Sequence, residues 1–197
     1  MHGLIFAELK KYVVSKFDEK TWDTLLEKAG LKGNMYLASS VYADADILAL
    51  VSTACQMTGL TANAVMEDFG EFIAPDLVTQ YKFLIKPDWT LLDFLSNTED
   101  TIHKVVRFHS GVTPPRLVVT RVADDKVVIS YDSTRRMCAL LKGIVKGAAK
   151  FYKEEVIVSE SRCMLHGDPA CVVTVQVAAA KHRMEVPPSQ RAGAAPR

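Results

Sequence analysis

Three sets of residues in this chain have the types and spacing to do chemistry. The first is Tyr131-Asp132-Ser133-Thr134-Arg135, between the alternating apolar run Val127-Val128-Ile129-Ser130 and a helical pattern that starts at Arg136. If extended backbone continues through it, Tyr131, Ser133 and Arg135 share one face. Neighbours in such a row stand roughly 7 Å apart. Two hydroxyls and a forked guanidinium at that spacing suit a rigid ligand with two adjacent carboxylates, and heme, with its two propionates, is such a ligand. The same pentapeptide also reads as a polar strand end in which Ser133 or Thr134 caps the next helix, so it needs a partner elsewhere.

The second candidate is His103, on a helical stretch that ends before Pro114-Pro115. A heme iron needs a neutral imidazole on a rigid element and apolar walls that keep water out. A lone helical histidine can equally be a hydrogen-bonded or surface residue. His2, His109, His166 and His182 are weaker candidates, being terminal, near a break, in a turn or near the end of the chain. The third set is Cys163 and Cys171, which flank the turn His166-Gly167-Asp168-Pro169 and could meet Cys138. Three soft ligands suit zinc, with His166 or Glu160 completing a tetrahedron; the alternative is three reduced, partly buried thiols. Cys55 reads as core.

These groups depend on the elements that carry them. Apolar residues at helical spacing predict helices over Gly3–Phe17, Glu19–Ala29, Asp46–Thr58 and from Thr61 to Ile73, the last stopping before Pro75. A further helix from about Trp89 carries Leu91, Leu92, Leu95, Ile102, Val105 and Val106, with His103 at the edge of that stripe. Beyond the prolines the period becomes two: Arg116–Val122 and Lys126–Tyr131 read as a hairpin. A helix over Arg136–Tyr152 and strands at Val156–Val158 and Val172–Val177 follow. The expected fold is therefore α+β, a helical N-terminal half packed on a C-terminal half with an antiparallel sheet and helices. Residues 178–197 contain Pro187-Pro188 and few large apolar side chains, and read as a flexible tail or linker behind one domain spanning 1–177.

Composition narrows the function classes. With 197 residues, 49% of them hydrophobic, the chain can bury a sizeable core. The 24 basic and 23 acidic residues leave a net charge of +1 and no basic block, which argues against nucleic acid as a partner. No apolar stretch reaches the roughly 18 residues of a membrane span, and no signal-peptide core follows Met1, so a cytoplasmic location is expected. No phosphate-binding glycine loop, kinase signature or nucleophile elbow is present, and the chain reads as a non-enzyme.

Over residues 1–177 the chain resembles the heme nitric oxide/oxygen-binding (H-NOX) family, which includes the sensor domain of soluble guanylate cyclases. The resemblance begins at Met1-His2-Gly3 and is densest in Thr113-Pro114-Pro115-Arg116-Leu117, Tyr131-Asp132-Ser133-Thr134-Arg135 and Lys150-Phe151-Tyr152-Lys153-Glu154-Glu155. It implies heme b between the two halves, His103 as proximal iron ligand, Tyr131, Ser133 and Arg135 on the propionates, and Pro115 pressing on the porphyrin. It also implies signalling by release of the proximal histidine to an effector such as a histidine kinase, a cyclic-dinucleotide enzyme or a chemoreceptor.

Oxygen-holding members of that family resemble this chain but carry a tyrosine where Leu140 stands. With Ile5, Leu9 and Ile73 as the other expected distal residues, the pocket should bind nitric oxide and carbon monoxide and exclude oxygen. Some members also place a histidine three residues before the position of Cys163, where this chain has Glu160. Other readings are a thiol/zinc redox sensor acting through Cys138, Cys163 and Cys171, and a pocket for another apolar or tetrapyrrole ligand. A peroxide-using heme enzyme is disfavoured, because an apolar distal side lacks the acid–base group it needs.

Overall fold

Local signals set most helix ends in the first half of the chain. In the computed structural model, which describes residues 1–178, the N-terminal helices are α1 (Gly3–Lys16), α2 (Glu19–Lys28), α3 (Asp44–Thr58) and α4 (Ala62–Gln80). Asp18 and Thr61 cap α2 and α4 with side-chain oxygens that accept the Thr21 and Ala64 amides. Gly59 closes α3 at φ 73°, a left-handed backbone open to glycine because it has no Cβ. Apart from Ala178, the expected tail over 178–197 lies outside the described residues.

Contrary to expectation, α4 does not stop before Pro75 but runs through it. A proline inside a helix removes one amide and orphans the carbonyl four residues back, here that of Glu71. That carbonyl lies against Gly147 of a later helix, where a Cβ would collide with it. Thr79 Oγ1 also donates to the Pro75 carbonyl at 2.8 Å. Phe69 and Ile73 before the proline, and Val78 after it, are all buried, so packing on both sides carries the helix past the break.

The single helix expected from Trp89 is three pieces: α5 (Leu91–Asn97), a π-helical turn (Glu99–His103) and α6 (Lys104–Ser110). Thr90 and Asp93 close a capping box at the start of α5. The Thr98 and Thr101 hydroxyls donate to the Phe94 and Asn97 carbonyls, a competition that loosens helical geometry. The His103 amide reaches the Thr98 carbonyl, five residues back, at 3.0 Å. Insertions of this kind recur at functional sites, and this one ends on the histidine.

Strands β1 (Arg116–Ala123), β2 (Lys126–Asp132), β3 (Val156–Arg162) and β4 (Cys171–Val177) form one antiparallel sheet in the order β1-β2-β4-β3. The Tyr-x-Ser-x-Arg segment is strand only through Asp132 and then turns, with Arg136 at φ 52°. The helix expected at Arg136 therefore begins at Cys138 as α7 (Cys138–Tyr152), and neither Ser133 nor Thr134 caps it.

α7 joins the halves because it has two apolar faces. Cys138, Leu141, Val145, Ala148 and Ala149 pack with the sheet and α5; Ala139 and Leu140, with Ile144 partly buried, pack with α1–α4. Gly70, Gly143 and Gly147 let α4 and α7 touch backbone to backbone, and a Cβ at Gly70 or Gly143 would strike main-chain atoms of the facing helix. Among the described residues, no helix is long and apolar enough to cross a membrane.

Candidate functional site

A largely apolar cavity opens where the two cores meet. Its wall includes Ile5, Ala74, Leu140 and Ile144 from the helices, Ile102, His103 and Val106 around the π-turn, Pro114 and Pro115, and Tyr131 and Arg135. Six of the expected site residues (Ile5, His103, Pro115, Tyr131, Arg135 and Leu140) thus meet around one space. Leu9 and Ile73 do not line it; both are buried in the helical core. Ser133 is also off the wall, buried behind the row.

His103 is 15% exposed, and its Nδ1 lies 2.8 Å from Glu99 Oε2. Burial pushes the imidazole below its usual pKa, against the pull of Glu99 and, more weakly, the Pro115 carbonyl. Although burial works the other way on Glu99, hydrogen bonds from His103, Arg107 and the Leu117 amide hold its carboxyl below the usual range. A carboxylate at Glu99 can only accept, so His103 Nδ1 donates to it, and burial favours the uncharged ring. An imidazole that donates at Nδ1 and is uncharged carries its lone pair on Nε2, the kind of nitrogen donor a heme iron takes from histidine. The donor set fits heme: one neutral nitrogen and apolar walls, with a guanidinium and a phenol at hand for carboxylates.

The Tyr-x-Ser-x-Arg row is wired to itself and to the N-terminus. Tyr131 is 3% exposed, and its hydroxyl accepts the Met137 amide at 3.2 Å. Burial raises the phenol pKa, while the Ser133 hydroxyl, the Met137 amide and Arg135 pull it back. Ser133 Oγ accepts the Arg135 amide at 3.3 Å. The Arg135 guanidinium donates to the Thr113 carbonyl at 2.6 Å and to Asp44 Oδ2 at 3.2 Å. Asp44 Oδ1 in turn lies 2.8 Å from the Met1 amino group.

A second cluster lies behind the row. Sγ of Cys138 is 3.7 Å from that of Cys163, and Cys171 Sγ is 3.9 Å from Cys163. Ligand atoms of these three and of Glu160 all lie within 4.8 Å of one another. Glu160, not the exposed His166, is the fourth group in reach. Its Oε1 is buried without a hydrogen-bond partner, while Oε2 meets Lys142 Nζ at 3.1 Å. Burial raises the Cys138 and Cys171 thiols, and the Met164 amide donates to Cys171 Sγ at 3.2 Å. Cys55 is half-buried and packs at the edge of the helical core.

A family model described as haem-NO-binding matches residues 2–160. The chain belongs to this family, the H-NOX domains. It is 25% identical over 157 residues to the soluble guanylate cyclase gcy-32 of Caenorhabditis elegans and 24% identical to gcy-34. Each alignment covers 76% of this chain but 23% of the cyclase, so the H-NOX chain matches about a quarter of those relatives' length. An H-NOX protein from S. oneidensis in its Fe(II)NO state has the same fold, with a TM-score of 0.85, 23% identity and coverage of 91% of this chain and 100% of that one. The I5F mutant of T. tengcongensis H-NOX gives a TM-score of 0.80 at 21% identity, covering 91% and 98%.

H-NOX domains bind heme, and within this one sequence reasoning did not single out the carboxylates that hold His103 and Arg135. Glu99 has one signal, its i, i+4 spacing from His103. Asp44 has none, being 91 residues from Arg135 in the chain. His2 caps α1, its Nδ1 accepting the Leu4 amide at 3.1 Å, and also lines the cavity.

Proposed function

We propose that this H-NOX domain is a heme b-based sensor that binds nitric oxide and carbon monoxide, excludes oxygen and acts on a separate effector. One observation carries the reading: His103 lines a largely apolar cavity, and its Nδ1 lies 2.8 Å from Glu99 Oε2. Bound there, heme would supply a ferrous iron with affinity for diatomic gases. His103 would hold its iron, Tyr131 and Arg135 would hold the propionates, with Ser133 positioning Tyr131, and Pro115 would form part of the wall against it. Oxygen on ferrous iron relies on a nearby hydrogen-bond donor, whereas nitric oxide does not. Ile5, Ala74, Leu140 and Ile144 offer none.

Output would follow from freeing His103. Its π-turn is continuous with α6 and hydrogen-bonded through Glu99 to β1, so letting the histidine go permits a packing change at the joint between the halves. A histidine kinase, a cyclic-dinucleotide enzyme or a chemoreceptor could read that change. The test is heme reconstitution of the wild type and of His103→Ala. A histidine-bound ferrous spectrum in the first, lost in the second and recovered with free imidazole, supports the reading; equal spectra overturn it.

The cysteine cluster favours a second, separable reading, a zinc site whose thiols respond to oxidants. Zinc–sulfur bonds of about 2.3 Å put tetrahedral sulfurs about 3.8 Å apart, and the two sulfur separations here are 3.7 and 3.9 Å. Cys138, Cys163, Cys171 and Glu160 would hold the ion. Metal analysis of reduced protein should find one zinc per chain; none would remove this reading.

A further inference from the structure

We infer that Glu99 is the positioning residue for the iron ligand, setting both the orientation of the His103 ring and the strength with which it binds. The inference rests on the heme-sensor reading above. Glu99 is 21% exposed, and its contacts link its own π-turn to α6 and β1. Its Oε2 is shared between His103 Nδ1 at 2.8 Å and the Leu117 amide of β1 at 3.1 Å, and Oε1 takes Arg107 Nη2 of α6 at 2.7 Å. Glu99 opens the π-turn and His103 closes it, so one turn carries both the ligand and its support.

A carboxylate accepting the far N–H of a ligating imidazole fixes the tautomer and raises the ring's basicity. Arg107 acts in the opposite sense, because its guanidinium draws charge from the same carboxylate. Removing the two partners should therefore have effects of opposite sign. Leu117 adds a mechanical role: in the sheet register it stands opposite Tyr131. Glu99 thus ties the histidine to the strand pair that carries the start of the propionate row, and a histidine that swings away must break or drag the Leu117 bond.

The experiment compares heme-loaded wild type, Glu99→Gln and Arg107→Gln by the iron–histidine stretching frequency of the ferrous protein. The frequency should fall in Glu99→Gln and rise in Arg107→Gln. The rate at which nitric oxide displaces His103 should increase about tenfold in Glu99→Gln, the low end for loss of such a partner. Unchanged frequencies, or shifts of the same sign, overturn the inference while the sensor reading stands. A wild type with no histidine-bound heme overturns both. If Glu99→Gln fails to take up heme, nitrogen NMR of His103 in the wild-type apoprotein decides: a proton on Nδ1 supports the role, and a proton on Nε2 overturns it.

Discussion

The histidine cavity and the cysteine cluster share a wall but are built in opposite ways. The cavity draws on α1, α4, the π-turn, the Pro-Pro segment and α7. It offers the His103 imidazole in a largely apolar space, and its guanidinium is held by Asp44 and Thr113. The cluster comes from α7, β3 and the ends of the β3–β4 connection, with four ligand groups already in mutual reach. The first is shaped for a large ligand, whereas the second gathers its groups around a space of single-ion size. Tyr131 on the cavity wall pairs directly with Cys171 in the sheet, and Cys138 follows the Arg135 turn. The two sites can thus be disabled separately while remaining mechanically adjacent.

The largest effects should separate them. His103→Ala is expected to abolish histidine-bound heme and leave zinc content unchanged, while Cys163→Ser should remove zinc and leave the heme absorption spectrum intact. Absorption and metal analysis on both variants check this, and loss of heme and zinc together in either would erase the distinction. Next is Leu140→Tyr, which puts a hydroxyl on the cavity wall and should give the ferrous protein an oxygen complex in air, absent from wild type. Gly143→Ala attacks the shared support by driving a Cβ into the Glu67 carbonyl; it should cost about 1–3 kcal/mol in urea unfolding and weaken both sites together.

A smaller effect concerns acid. Burial would raise the Asp44 pKa, but the Met1 amino group and Arg135 more than offset it and hold the carboxyl below its usual range. A depressed folded pKa stabilises fully above the ordinary aspartate value and is lost as the pH falls through the lower folded value. Asp44 is 39% exposed, so the contribution is modest. Asp44→Asn should flatten the acid limb of the apoprotein's urea midpoint plotted against pH. The smallest effect is expected at Tyr81, a cavity-wall phenol on the sheet-side core: Tyr81→Phe should leave the spectrum in air unchanged.

Periodicity was enough for most of the elements, because capping residues such as Asp18, Thr61 and Thr90 and stops such as Gly59 act within a few residues. It failed at Pro75, where burial of Phe69, Ile73 and Val78 on either side, against residues far along the chain, carries the helix through the proline. It failed again at the π-turn, because a one-residue insertion scarcely changes an apolar stripe. His103, Tyr131 and Arg135, singled out by type and spacing, all reach the cavity wall. Leu9 and Ile73 showed that a helical stripe reveals burial but not which neighbour a side chain meets. Glu160 replaced His166 because alternation along β3 turns it toward the sulfurs, while His166 sits on an exposed turn.

The measurement that tests the account most directly is the visible absorption spectrum of the reduced, heme-reconstituted protein, recorded without air, in air and with nitric oxide. The expected result is a histidine-bound ferrous heme that is unchanged by air and shifted by nitric oxide. A protein that takes up no heme, or one that forms a stable oxygen complex, would contradict it.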